Sequence, residues 1–314
     1  MKKIIIGIHG LGNKPPKDIL EEWWKAAIIE GQKKFNYPST DFRFEMFYWA
    51  DVLNNEPLNP EETDKKNPLF VSERYLPEDE RNFQQQTGIK QKAINYVEKY
   101  YDKFLVNEII SLKHPALTDI FIHFNLKEVE AYFSAGGKNN GEKSVVKELI
   151  TGRLKDIIMR HRNEKILVIA HSMGAIIAHD ALLDLEPGIK IDTLLTIGSP
   201  LGQQYILNFY DEEKDKKSVD KLMVPHSIKN AWYNFSDEND HVAINHHLGE
   251  VYKENADKLR VIDRLVKNNY SSQGVLNPHK SYGYLRTAEV ADIVNSFLGR
   301  RKLSLFFWLK NKFI

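Results

Sequence analysis

Along this chain, short apolar runs with little polar interruption alternate with longer stretches whose apolar residues recur three and four positions apart. The first pattern suits a strand buried on both faces, the second a helix with one buried side. Ile4–Ile8 predicts a first strand, and Asp18–Phe35, with Trp23, Trp24, Ala27 and Ile28 on its apolar side, a first helix. Phe42, Phe44, Met46 and Tyr48, at every second position, predict a second strand. Ser144–His161 reads as a helix, and Lys165–Ala170 as a strand running into a helix, Met173–Leu185, that Pro187 and Gly188 stop. Thr193–Ile197 and Ala231–Phe235 are further strands, Leu259–Val266 is the last strand, and Thr287–Leu298 closes the chain's core as a helix. This alternation predicts an α/β fold, a mostly parallel sheet with helices on both faces.

One segment breaks the rhythm. Residues 52–141 begin as a charged, proline-bearing loop, "NNEPLNPEETDKKNP", and then turn helical and aromatic through Tyr96, Tyr100, Tyr101, Phe104, Phe121, Phe124, Tyr132 and Phe133. A structureless loop of that length is uncommon in a compact domain, so 52–141 reads as a helical insertion and a candidate lid, with Ala135–Lys143 as its exit. Its aromatic residues, at helical spacing, are expected to form the insertion's own core. The expected organisation is a core over residues 1–299, interrupted by that insertion, followed by a basic-aromatic tail, 300–314. The tail carries five positive charges and no acid around Phe306, Phe307 and Trp308. Such interleaving suits peripheral contact with an anionic membrane; a last helix packed on the domain is the other reading.

Composition narrows the classes of function. With 314 residues, 42% of them hydrophobic, the chain can bury a sizeable core. Lys and Arg number 44 against 43 for Asp and Glu, so no net charge draws the chain to nucleic acid. The absence of cysteine removes disulfides, thiolate metal sites and cysteine nucleophiles, and suits a reducing, cytoplasmic setting. "MKKIIIGIHGLG" has an apolar run too short for a signal peptide, and no window approaches a membrane span.

The stretch "ILVIAHSMGAIIAHDAL" joins a strand to a helix through Ala170-His171-Ser172-Met173-Gly174. A tight turn there is a nucleophile elbow, which lifts the Ser172 hydroxyl above the sheet edge and requires small residues two before and two after it. A serine is a poor nucleophile without a base, an acid and a site for the oxyanion. His9-Gly10-Leu11-Gly12 directly follows the first strand, where the backbone amide of Leu11, together with that of Met173, would cradle an oxyanion. After a later strand come Asp237 and Asp240, and on a polar loop after the last strand His279. The order serine, acid, histidine is the one such loops require at the ends of successive strands.

Together the elbow, the His9–Gly12 stretch, "LLTIGSPLG" and the acid and histidine loops resemble the α/β-hydrolase superfamily, lipase and esterase branch. The resemblance covers most of residues 3–298 outside the insertion. It implies ester hydrolysis through an acyl-enzyme on Ser172, with Asp240 and His279 completing the triad and no cofactor or metal. It also implies a shortened core, since the family's sheet usually carries strands ahead of the His-Gly stretch. In that family the acid is commonly followed closely by a small apolar residue. Asp240-His241-Val242 fits this better than Asp237, which can instead close a turn by accepting a backbone amide two residues on. The expected substrate is a small-molecule or lipid ester. An acyltransferase or thioesterase would use the same residues, and a non-catalytic binding module would keep the fold alone. His171 is read as a packing or orienting residue, because it is adjacent to the serine, and His9 as a brace for its loop. The pair His246-His247 lacks the companion spacing of a zinc site.

Overall fold

The computed structural model describes residues 1–38, 41–72, 74–78, 128–133, 144–212, 222–243, 245–272 and 275–299. Within them, β1 (Lys3–Ile8), β2 (Phe44–Phe47), β3 (Lys165–His171), β4 (Ile191–Ile197), β5 (Ile228–Ser236) and β6 (Val261–Leu265) form a six-stranded sheet in the order β2-β1-β3-β4-β5-β6. Every neighbouring pair is parallel. The helices are α1 (Lys17–Lys34), α2 (Val145–Arg160), α3 (Met173–Leu183), α4 (Gln204–Glu212), α5 (Leu248–Val251), α6 (Ser281–Leu285) and α7 (Ala288–Phe297).

The apolar runs are continuous because both sheet faces are covered. Ile4, Ile6 and Ile8 of β1 join Ile166, Val168 and Ala170 of β3 in a core with α2 and α3. The alternate residues Ile5, Leu167 and Ile169 face α1 and α7 through Leu20, Trp24, Ile28, Val290, Ile293 and Val294. Burying a valine-, leucine- or isoleucine-sized side chain contributes roughly 1.5–3 kcal/mol, so both layers stabilise the sheet between them. From β1 the chain moves outward to β2, then crosses back to place β3 on β1's other side. The strand order therefore reverses between β1 and β3, and the crevice beyond their carboxyl ends is where open α/β sheets collect ligands.

The main strands and long helices lie within a few residues of where the pattern predicts them. Strand β6 ends the sheet but not the strands: a short antiparallel hairpin, β7 (Ser271–Ser272) with β8 (Val275–Leu276), follows it. Two-residue strands carry no period to read. Helices α4, α5 and α6, of 9, 4 and 5 residues, were also missed, the last two being too short for a 3.6-residue stripe to declare itself.

Tyr132 and Phe133 depart from expectation. Rather than joining a core of the insertion, they pack into the main one, with Phe133 stacked on Phe209 at 4.6 Å and the Tyr132 hydroxyl donating to Asp180 at 2.8 Å. The other six aromatics, most of the proposed lid and the tail 300–314 lie outside the described residues. Among those described, no helix is long and apolar enough to cross a membrane.

Candidate active site

Ser172 joins β3 to α3 with φ 54° and ψ −127°, a left-handed conformation that costs a non-glycine residue on the order of 1–3 kcal/mol. Tertiary packing holds it there. The amide of Ser172 donates to the Ile197 carbonyl at 3.2 Å, and the Ser172 carbonyl accepts from Ala175 at 2.8 Å, which starts the helix. The crowding that demands a small residue at 174 comes from the neighbouring strand. A Cβ on Gly174 would lie 2.7 Å from the carbonyl oxygens of both Ile8 and His9. One on Gly10 would lie 2.8 Å from the Ser172 Cβ, so the loop after β1 is pressed against the serine.

The Ser172 hydroxyl lies 3.1 Å from Nε2 of His279, and Nδ1 of the same ring lies 3.0 and 2.9 Å from the two carboxylate oxygens of Asp240. Asp240 is buried, while the His279 side chain is 29% exposed. A buried carboxylate needs donors, and this one has them: the Tyr284 hydroxyl donates at 2.7 Å and the Val242 amide at 3.0 Å. Burial opposes the charge on Asp240. The His279 ring beside it, then the hydrogen bonds from His279, Tyr284 and Val242, outweigh that and hold the carboxyl below its ordinary range.

Asp237 does something different. Its Oδ1 accepts the Asn239 amide at 2.8 Å, closing the turn, and its Oδ2 accepts the Asn268 amide at 2.5 Å. Asn268 in turn donates its side-chain amide to the carbonyls of Pro278 and Lys280 at 2.7 and 2.9 Å, on either side of His279. Nε2 of His171 donates to the carbonyl of His279 itself at 2.7 Å. Three consecutive carbonyls of the histidine loop are thus held from below. Burial, then the nearby His279, push the basicity of His171 well below that of a free imidazole, so it performs this as a neutral donor.

The pattern of the sequence points to neither Asn268 nor Tyr284, and Gly198 stands in it only as one residue of "LLTIGSPLG". Gly198 has φ 54°, and a Cβ there would lie 2.9 Å from Asp240 Oδ2 and 3.2 Å from His279 Nδ1. No local signal marks these roles, because each partner is distant in sequence.

The loop after β1 is braced by His9. Its Nδ1 donates to the Gly10 carbonyl at 2.8 Å, and its Nε2 accepts the Trp49 amide at 3.1 Å. The ring stacks on Trp49 at 5.0 Å, and the Trp49 indole donates to the His9 carbonyl at 2.9 Å. Burial, with the charge of Lys14 nearby, keeps this ring neutral. In a trans peptide the carbonyl and the following N–H point in opposite directions, so holding the Gly10 carbonyl also aims the Leu11 amide. Among the described residues, neither the Leu11 amide nor the Met173 amide donates to a protein acceptor. The Met173 amide opens α3, where the helix dipole favours negative charge. Among the described residues no cluster of three or more histidines, aspartates or glutamates is placed to hold a metal ion.

No protein-family model matches the chain, and no curated protein matches it. Among solved structures it is similar to an esterase of Pyrococcus furiosus, at 17% identity over 54% of this chain and 68% of that one, with a TM-score of 0.27. It is also similar to a proposed cell surface hydrolase from Lactobacillus plantarum, at 11% identity over 55% of this chain and 70% of that one, with a TM-score of 0.30. Likeness at that level leaves the activity to be argued from the site. With an all-parallel six-stranded sheet, helices on both faces and a strand-to-helix elbow at the strand-order reversal, the fold is of α/β-hydrolase type.

Proposed function

We propose that this protein is a serine hydrolase that cleaves a carboxylic ester through an acyl-enzyme on Ser172. The observation that carries the reading is the unbroken path from the Ser172 hydroxyl to His279 at 3.1 Å and on to the buried Asp240 at 2.9 Å, at an elbow held in a strained conformation. The Ser172 oxygen attacks the ester carbonyl carbon while Nε2 of His279 takes its proton. Asp240 holds the Nδ1–H tautomer and stabilises the imidazolium, and the Leu11 and Met173 amides stabilise the oxyanion. His279 then protonates the leaving alkoxide. In the second half it takes a proton from water, the hydroxide attacks the acyl carbon, and the acid is released with Ser172 restored. Each step uses groups of this chain and water alone.

A fluorophosphonate probe tests the reading. Wild-type protein is expected to be labelled at Ser172 and to hydrolyse p-nitrophenyl esters, and Ser172→Ala to lose both while keeping its circular dichroism spectrum. Wild-type protein that resists the probe, under conditions that label a control esterase, removes the proposal's support; labelling at another residue moves the site.

A further inference from the structure

The peptide unit between Leu11 and Gly12 is gripped at both ends by opposite charges. Its carbonyl accepts a hydrogen bond from the Lys14 ammonium, which also bonds the Gly12 carbonyl at 2.8 Å. Its N–H donates to the carboxylate of Glu128 at 2.8 Å. Gly12 sits at φ 81°, where the chain has little intrinsic preference for one orientation of this unit over its reverse. Reversal would turn the carbonyl toward the Glu128 carboxylate and the N–H toward the ammonium, so both charges oppose it.

Glu128 comes from far along the chain, 116 residues from Gly12, and its delivery is engineered by packing. Residues 128–133 form a helical turn whose Val129, Tyr132 and Phe133 are buried in the main core. One turn after Glu128, the Tyr132 hydroxyl donates to Asp180 of the elbow helix. The Lys147 ammonium lies 3.0 Å from the same Asp180 oxygen and 4.8 Å from the centre of the Phe133 ring. This buried pair ties the turn to α3, two helical turns beyond Ser172. The carboxylate and the serine are therefore both anchored to α3.

We infer that Glu128, acting with Lys14, is a positioning residue that holds the loop after β1 in the orientation needed to stabilise the oxyanion. His9 holds the preceding peptide through the Gly10 carbonyl, and the Glu128–Lys14 pair holds the following one, so the Leu11 amide is pinned from both sides. This rests on the proposed ester hydrolysis. An amide displaced by about 1 Å can cost on the order of a hundredfold in rate while leaving ground-state binding intact. The role therefore has a signature distinct from simple support of the fold: kcat falls, KM does not rise, and a neutral acceptor at 128 restores part of the loss.

The experiment measures kcat and KM on p-nitrophenyl acetate, together with fluorophosphonate labelling, for wild type, Glu128→Ala, Glu128→Gln and Lys14→Met. The expected result is a kcat lower by roughly ten- to a hundredfold in Glu128→Ala, with KM within about threefold and substantial recovery in Glu128→Gln, whose carbonyl still accepts the Gly12 amide. Lys14→Met removes the opposite grip and is expected to lower kcat in the same way, which keeps the test open should Glu128→Ala not fold. Labelled, active wild type with both Glu128→Ala and Lys14→Met at wild-type kcat overturns the inference alone. So does a loss confined to KM or a Gln variant no better than Ala. An unlabelled, inactive wild type overturns the proposed function, and this inference with it.

Discussion

Replacing Asp240 by asparagine changes one oxygen for an NH2 group and little else in shape. In the native site, Oδ1 accepts the Val242 amide at 3.0 Å and Oδ2 accepts the Tyr284 hydroxyl at 2.7 Å, while His279 Nδ1 faces both oxygens. The backbone amide of Val242 cannot turn away, but the Tyr284 hydroxyl can, so the new NH2 takes the Oδ2 position. There it points a donor at Nδ1. His279 must then accept at Nδ1 and carry its proton on Nε2, facing Ser172 as a donor and unable to act as a base. A wrong tautomer of this kind costs about 10⁴-fold in turnover, or roughly 5 kcal/mol of barrier. Asp237→Asn is the matched control: its NH2 would meet the Asn268 amide, now bonded at 2.5 Å, or else the Asn239 amide at 2.8 Å. An opposed donor pair costs on the order of 1–3 kcal/mol of stability, and turnover is expected within about tenfold of wild type. Both variants would be checked by circular dichroism and by urea unfolding, then assayed for kcat on p-nitrophenyl acetate across pH 6 to 9. If Asp237→Asn abolishes turnover while Asp240→Asn leaves it near wild type, the assignment is reversed. If neither matters, the tautomer argument is wrong.

Gly198→Ala is expected to lower kcat by roughly ten- to a hundredfold, because its methyl would displace Asp240 and His279 from each other. The variant should also lose about 1–2 kcal/mol in urea unfolding from its left-handed backbone; wild-type kcat would show that the pair has room to shift. Stability should fall on acidification below pH ~6.5, the ordinary histidine value, because His9 and His171 stay neutral when folded but take up protons when unfolded. The unfolded state then binds more protons, so each ring contributes a slope approaching about 1.4 kcal/mol per pH unit, with stability present above that pH and lost below it. Urea midpoints at pH 7.5 and 5.5 check this, and identical midpoints would contradict it.

How much of this was legible beforehand depended on whether the cause was local. Ile4–Ile8 and Lys165–Ala170 announced buried strands because both faces of each are covered, and a short run apolar at nearly every position suits that burial. Ser172 stood out because a strand met a helix across five residues. Asp237 could be seen as a turn residue because its acceptor role spans only two positions. By contrast, nothing in the residues adjacent to Tyr284, Asn268, Gly198 and Glu128 marks the roles these four play. Their significance lies in contacts with residues 44, 10 and 12, 42 and 116 positions away, respectively. Tyr132 and Phe133 were assigned to the wrong core for the same reason: helical spacing says that a face is buried, never against what.

The sequence by itself therefore determined the α/β architecture, the elbow and the residue types available to act there. Periodicity and turn chemistry are properties of neighbours along the chain, and those suffice to set strands, helices and tight turns. Only the tertiary structure decided which aspartate faces His279, that Tyr284 and Asn268 hold that pair in place, and that a carboxylate from residue 128 reaches the amide of Gly12. Parallel strand order brings the loops after β1, β3, β5 and β6 to one edge of the sheet. Which side chains meet there is a matter of ångström distances across that edge, set by packing rather than by sequence spacing.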